Sequence, residues 1–189
     1  EKITFFLEEC KRMGIKVLGP DVNESVRFFD VNDKGEIRFG MSAVKGSGDA
    51  AVEAIIEERE NNGQFKDIWD FVERVNLRSV NKKTVESLAY AGAFDCFPEV
   101  HRAQYFHIPD GEHSSGIEKI VRYGGQTQAE KQSAQVSLFG GSAGMELPKP
   151  KIPECEEWSD LDKLKYEKEV VGFYLTGHPL DQFKMEIKH

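Results

Sequence analysis

Between Asp49 and Gly92 the chain carries apolar stripes at helical spacing, and each is cut short by residues that end helices. The first holds Ala50, Val52, Ala54, Ile55 and Ile56 and stops at Asn61-Asn62-Gly63. The second holds Ile68, Trp69, Phe71, Val72 and Val75 and breaks over Asn76 to Asn81. The third holds Val85, Leu88, Ala89 and Ala91 and ends at Gly92. A chain punctuated this way folds as a series of short helices joined by short turns. Asp49 or Ser47 is the expected cap of the first of them. Trp69, Phe71, Phe94 and Phe97 read as core residues rather than base-stacking platforms, with Trp69 and Phe94 expected to be buried between the helices.

On either side the pattern changes. Ile3, Phe6, Leu7 and Cys10 mark an opening helix closed by Gly14, and Ile15 to Leu18 reads as a strand or extended segment. Val26 to Val31 and Ile37 to Met41 flank Asn32-Asp33-Lys34-Gly35, a β-hairpin signature. Between His101 and Ala134 the pattern weakens: a loop is expected at Ile108 to Ser115, then a helical candidate from Gly116 that has to tolerate Gly124-Gly125. Pro148, Pro150 and Pro153 forbid a continuous helix from Gly140 to Glu157, which reads as an exposed linker or meandering surface segment. Ser159-Asp160-Leu161-Asp162 opens a last long helix that carries Leu161, Leu164, Tyr166, Val170, Val171 and Tyr174 and stops near Gly177-His178-Pro179. A further short helix is expected from Leu180 or Asp181. No cap precedes Ile3, and Ile187-Lys188-His189 lies inside the last helical pattern, so the chain reads as a piece of a longer protein.

Composition limits the chemistry. With 33 acidic against 25 basic side chains, the formal charge of -8 argues against a whole surface built for nucleic acid, so any DNA contact has to be local. Cys10, Cys96 and Cys155 are widely spaced and form no C-x-x-C pair, which suggests neither a disulfide framework nor a zinc site. A reducing, cytoplasmic compartment is expected. No apolar run approaches the roughly 20 residues that cross a bilayer, so no membrane partner is expected. The histidines are scattered, and no strand-borne pair of Asp residues suited to two catalytic metals stands out. We expect no catalytic residue, no metal and no cofactor in this stretch.

Two motifs carry binding chemistry. In Lys45-Gly46-Ser47-Gly48-Asp49, glycines at a helix start let successive backbone N–H groups approach an anion, the helix dipole favours negative charge, and Lys45 stands beside them. The same glycines also suit a plain tight turn between packed helices. The third glycine and βαβ unit of a dinucleotide site are missing, and so is a P-loop. The second motif is Gln135-Val136-Ser137-Leu138-Phe139, followed by Gly140-Gly141. Leu138 and Phe139 would bury apolar surface in a pocket, roughly 1.5 to 3 kcal/mol each, while the Gln135 amide fixes register. Such a peptide is expected to be extended and exposed, although an isolated Leu-Phe pair also suits a core.

The stretch Ile37-Arg38-Phe39-Gly40-Met41-Ser42-Ala43-Val44-Lys45-Gly46-Ser47-Gly48, with Ala51 to Arg59 after it, resembles a helix-hairpin-helix motif, specifically that of the α subunit of bacterial DNA polymerase III, a C-family replicative polymerase. Phe65 to Arg74, Leu77 to Lys82 and Val85 to Asp95 resemble that family's second, degenerate hairpin, ending in Ala91-Gly92-Ala93-Phe94-Asp95. Gly14 to Asn23 is similar to the end of its fingers region, and Tyr166-Glu167-Lys168-Glu169 through Gly172 to Leu180 resembles the stretch before its OB domain. Two departures are visible: Ser47 replaces a branched apolar residue, and the second hairpin lacks a glycine pair, leaving Arg78, Lys82 and Lys83 to supply charge.

The resemblance implies a mainly α fold (α+β). It implies a fingers end at 1–36 with short strands, a tandem helix-hairpin-helix at 37–98, a weakly ordered segment at 99–157 and a helical connector at 158–189. The expected partners are duplex DNA at Lys45, Gly46, Ser47, Gly48, Asp49, Arg78, Lys82 and Lys83, the β sliding clamp at Gln135, Val136, Ser137, Leu138 and Phe139, and other domains and subunits of the holoenzyme. The resemblance also implies a non-catalytic piece of a DNA-directed DNA polymerase. Two rival readings are a free-standing helix-hairpin-helix adaptor or repair factor, and hairpins that act only as spacers. Salt-dependent duplex binding separates the last from the first.

Overall fold

The computed structural model describes residues 2–136, 147–175 and 177. Helix α1 (Lys2–Arg12) ends at Gly14, whose φ of 74° reverses the chain, and leads into strand β1 (Val17–Leu18). Strands β2 (Asp30–Val31) and β3 (Ile37–Arg38) form the expected hairpin. Asn32 holds its turn, its Oδ1 accepting from the Lys34 and Glu36 N–H groups at 3.0 and 2.9 Å, and Gly35 provides the positive φ. β1 joins β3 in parallel, Val17 opposite Ile37, so the small sheet runs β1-β3-β2.

The other regular elements among the described residues are helices. After a 3-10 turn at Met41–Ala43 come α2 (Asp49–Asn62), α3 (Ile68–Arg74), α4 (Lys82–Tyr90), α5 (Arg102–Phe106), α6 (Gly116–Val136) and α7 (Asp160–Val171). Asp67 caps α3 by accepting from the Asp70 N–H, Asn81 caps α4 through the Thr84 N–H, and Ser159 caps α7 through the Asp162 N–H. The start of α2 departs from expectation. Gly48 is its cap and no side chain serves there, because Ser47 turns inward and Asp49 pairs with Arg27. α7 stops at Gly172, left-handed with φ 94°, rather than near Gly177, so Tyr174 lies beyond the helix.

The core gathers Val52, Ile55, Phe71, Val72, Val85, Leu88 and Phe94, all essentially inaccessible. Phe71 meets Phe94 edge-on at 5.1 Å. Trp69 corrects the sequence reading: it is half-buried at the edge of this core, T-shaped against Tyr123 at 5.1 Å.

A larger correction concerns residues 99–136. The helix expected from Gly116 is present as α6, but the segment is not weakly ordered: α5 precedes it, and Tyr105, Ile117, Ile120 and Tyr123 belong to the same core as the hairpins. α6 lies along α3. Gly124 allows this approach, since a Cβ there would stand 2.7 Å from the Val72 carbonyl oxygen. One turn on, Gln128 Nε2 donates to the Val72 and Val75 carbonyls at 2.8 and 2.9 Å, satisfying acceptors that the end of α3 leaves open. Tyr123 Oη and Lys131 Nζ both reach Glu73, at 2.8 and 3.0 Å. Residues 147–157 run over the surface without regular structure, tied down by Gln104 Nε2 donating to the Pro153 carbonyl and by Leu147 and Ile152 packing on the core.

Candidate nucleic-acid interface

The glycine-opened helix start lies between the 3-10 turn and α2. Val44 is buried, and its carbonyl accepts the Ser47 N–H at 3.2 Å. The Ser47 hydroxyl lies 2.7 Å from that carbonyl and 2.9 Å from the Met41 carbonyl, and the residue is 1% exposed. A small polar residue thus fills the place of an apolar one by hydrogen-bonding the loop to itself. Ser47 has neither its N–H nor its hydroxyl available for an anion, which corrects the sequence assignment at this position.

Gly46 and Gly48 have φ values of 89° and 64°, a region that disfavours side chains. Gly46 rests on α4: a Cβ there would stand 2.6 Å from Ser87 Oγ and 3.8 Å from Lys83 Cε. Gly48 faces open space, with nothing within 4 Å of such a Cβ. The N–H groups of the first turn of α2 have no partner one turn earlier in the helix, and they carry its positive pole. Lys45 is exposed. Its N–H donates to the Val170 carbonyl at 2.7 Å, and its ammonium lies 3.8 Å from where a Gly172 side chain would begin, so the loop leans on the end of α7.

Asp49 does not face solvent alone. Its carboxylate takes Arg27 Nη2 at 2.7 Å and Ser42 Oγ at 3.1 Å, and the other arm of Arg27 reaches Glu53 at 2.7 Å. Arg27, absent from the sequence assignment, offsets the acids that would repel a phosphate from this helix start.

The expected cations of the second hairpin separate. Lys83 is exposed beside Gly46 and therefore joins Lys45. Lys82 turns the other way: its Nζ is 2.7 Å from Glu118 and 3.6 Å from Glu86, an attachment of α4 to α6. The hydrogen bond it donates to the Glu118 carboxylate raises the Lys82 ammonium above its ordinary pKa. Arg78 is exposed at the hairpin tip, where its N–H donates to Asn76 Oδ1 at 3.0 Å and no described contact joins it to the glycine loop.

Ala91 to Asp95, read only as a signature, has a mechanical role. A Cβ on Gly92 would stand 2.1 Å from Arg102 Nη2, so the glycine makes room for a guanidinium that is 8% exposed. Arg102 Nη2 and Nε grip Asp95 at 2.6 to 3.0 Å, and Nη1 reaches Glu167 of α7 at 2.8 Å. Burial works against the Arg102 charge, but the two carboxylates outweigh it and the net effect on its pKa is upward. This cluster and the Lys45 bond to Val170 dock α7 against both hairpins.

Of the peptide at 135–139, Gln135 and Val136 form the end of α6; these two are helical rather than extended. Ser137, Leu138 and Phe139 lie outside the described residues, as does the helix expected from Leu180 or Asp181. The cysteines are free, and burial, reinforced by Asp21, pushes the Cys96 thiol up to about 12. Among the described residues no group of three or more His, Cys, Asp or Glu could hold a metal, and no helix is long and apolar enough to cross a membrane.

Residues 14–105 match a helix-hairpin-helix family model. Curated relatives include proteins named DNA polymerase III subunit alpha. The one from Vibrio cholerae is 37% identical over 99% of this chain, that from Caulobacter vibrioides 36% over 96%, and that from Escherichia coli K12 34% over all of it. The chain spans only 15 to 16% of the length of these relatives.

Proposed function

Because the chain belongs to the DNA polymerase III alpha-subunit family, we propose that it is a gripping module of a replicative polymerase, holding duplex DNA by its phosphate backbone. The observation that carries this reading is the glycine loop at the start of α2. Gly48 faces open space, the adjacent helix start offers unpartnered N–H groups, and Lys45 and Lys83 flank Gly46. One phosphate would sit against the Gly48 and Asp49 N–H groups with the two ammonium groups on either side. Ser47 supports the loop from inside. Contacts of this kind position a protein on DNA without reading bases.

The module contributes grip, and polymerisation is the work of other parts of the subunit. The test is duplex binding measured over a salt series with several unrelated sequences. Equal affinities that fall steeply with salt support the reading. Absence of duplex binding even at low salt favours hairpins acting only as spacers.

The family context extends the reading to the β sliding clamp. In Gln135-Val136-Ser137-Leu138-Phe139 a Gln precedes a Leu-Phe anchor pair, and Gly140-Gly141 follows at once. Gln135 and Val136 close a helix whose preceding turns are fastened to α3 through Gln128 and Lys131, so the peptide would leave from a fixed point. Anchors of this type account for most of the energy of such interfaces. Other domains and subunits of the holoenzyme are the remaining partners in this proposal.

A further inference from the structure

Many cations among the described residues are held in ion pairs: Arg27, Arg38, Arg74, Lys82, Arg102, Lys119, Lys131 and Lys163 each contact a carboxylate. Lys45, Lys83, Lys165 and Lys168 are all exposed, and among the described residues none of them makes such a pair. These four are neighbours. Lys83 and Lys45 flank Gly46, and Lys45 shares an open groove with Lys165 and Lys168 of α7. Lys168 donates to Tyr174 Oη at 3.4 Å and lies over that ring at 4.6 Å, which holds its ammonium at the groove wall. Glu169 also lines the groove, one acid among three lysines.

Gathering like charges without counter-ions raises the energy of the folded chain unless an anion relieves it. Resting on the reading of the hairpin loop given above, the geometry points to a second phosphate subsite in this groove. Lys165 and Lys168 bind the duplex backbone there, next to the phosphate held at the start of α2. The DNA track therefore runs from Lys83 past the glycine loop and onto α7. It also explains why α7 is docked to the hairpins by a buried ion pair: displacement of α7 would separate Lys165 and Lys168 from Lys45. Sequence alone hid the subsite, because Lys165 and Lys168 sit in an alternating run of acids and bases that reads as a solvated helix face.

The test is fluorescence anisotropy of a labelled blunt-ended DNA duplex with the full chain, from 50 mM salt upward. Each phosphate contact contributes about 0.9 to the slope of log affinity against log salt. Lys165→Gln with Lys168→Gln should therefore lower that slope by about 1.8. Lys45→Gln with Lys83→Gln should do much the same, and a control, Lys34→Gln with Lys66→Gln, should leave it alone. Thermal unfolding of every variant should match the parent, since all six side chains are exposed. If the Lys45 and Lys83 pair lowers the slope and the α7 pair does not, the groove is no subsite and the hairpin reading stands. If neither pair matters, both readings fail. An equal loss in the control would reduce the effect to net charge and overturn the subsite.

Discussion

Arg102 Nη1 and Glu167 Oε1 are 2.8 Å apart across the junction of α5 and α7, with Arg102 8% exposed and Glu167 fully buried. The two residues are far apart in sequence, and Gly92 and Asp95 complete the setting by making room for the guanidinium and taking its other face. A buried pair is weak evidence of net stability, yet removing one partner is costly because the other charge is left uncompensated.

Glu167→Ala should therefore destabilise the chain by about 3 kcal/mol, the lower end of the usual range for a broken buried pair, because Asp95 still holds Arg102. Urea unfolding measures it, and a loss below about 1 kcal/mol would show that the pair is not what docks α7.

Gly124 and Gly125 are neighbours with opposite expectations. A Cβ on Gly124 would meet the Val72 carbonyl oxygen at 2.7 Å and the Val72 Cβ at 2.8 Å, whereas one on Gly125 meets nothing within 4 Å. Gly124→Ala should cost about 1 to 3 kcal/mol through overpacking. Gly125→Ala should add about 0.5 to 1 kcal/mol by removing helix-opposing freedom. Paired thermal melts decide it: a midpoint that falls for Gly125→Ala, or is unmoved for Gly124→Ala, contradicts this packing of α6 on α3.

Lys82 and Lys83 are adjacent in sequence but differ in expected effect on DNA. Lys83→Gln should lower the salt slope of duplex binding by about 0.9, one phosphate contact. Lys82→Gln should leave it nearly unchanged, because Glu118 and Glu86 already occupy that ammonium. Equal slopes for the two variants would remove the structural basis for choosing between them.

Leu138→Ala with Phe139→Ala should weaken binding to the β sliding clamp by about 2 to 4 kcal/mol, on the order of a hundredfold. Gln135→Ala should cost less, about 1 to 2 kcal/mol, through lost hydrogen bonds. Calorimetric titration against the clamp measures both, and duplex binding should be unaffected by either change. Parental clamp affinity in the double variant would sink the assignment.

What the sequence determined by itself is the local structure. Asn32 and Gly35 make the β2–β3 turn, Gly63 ends α2, Ser159 starts α7, and Gly46 and Gly48 shape the loop ahead of α2. Each of these depends on hydrogen bonds or torsions within a few residues, so the signal sits in adjacent letters. The tertiary structure alone decided the rest. Gly124 interrupts the periodicity of α6 because the neighbour there is the Val72 backbone, and Gln128 caps a helix more than 50 residues earlier in the chain. Ser47 is internal rather than a ligand, Lys82 belongs to Glu118, and Lys165 and Lys168 come beside Lys45 only when Arg102 and the Val170 carbonyl have docked α7. Contacts between segments so far apart leave no periodic trace in either one, because the residue type required at one surface depends on the shape and charge of the surface that packs against it.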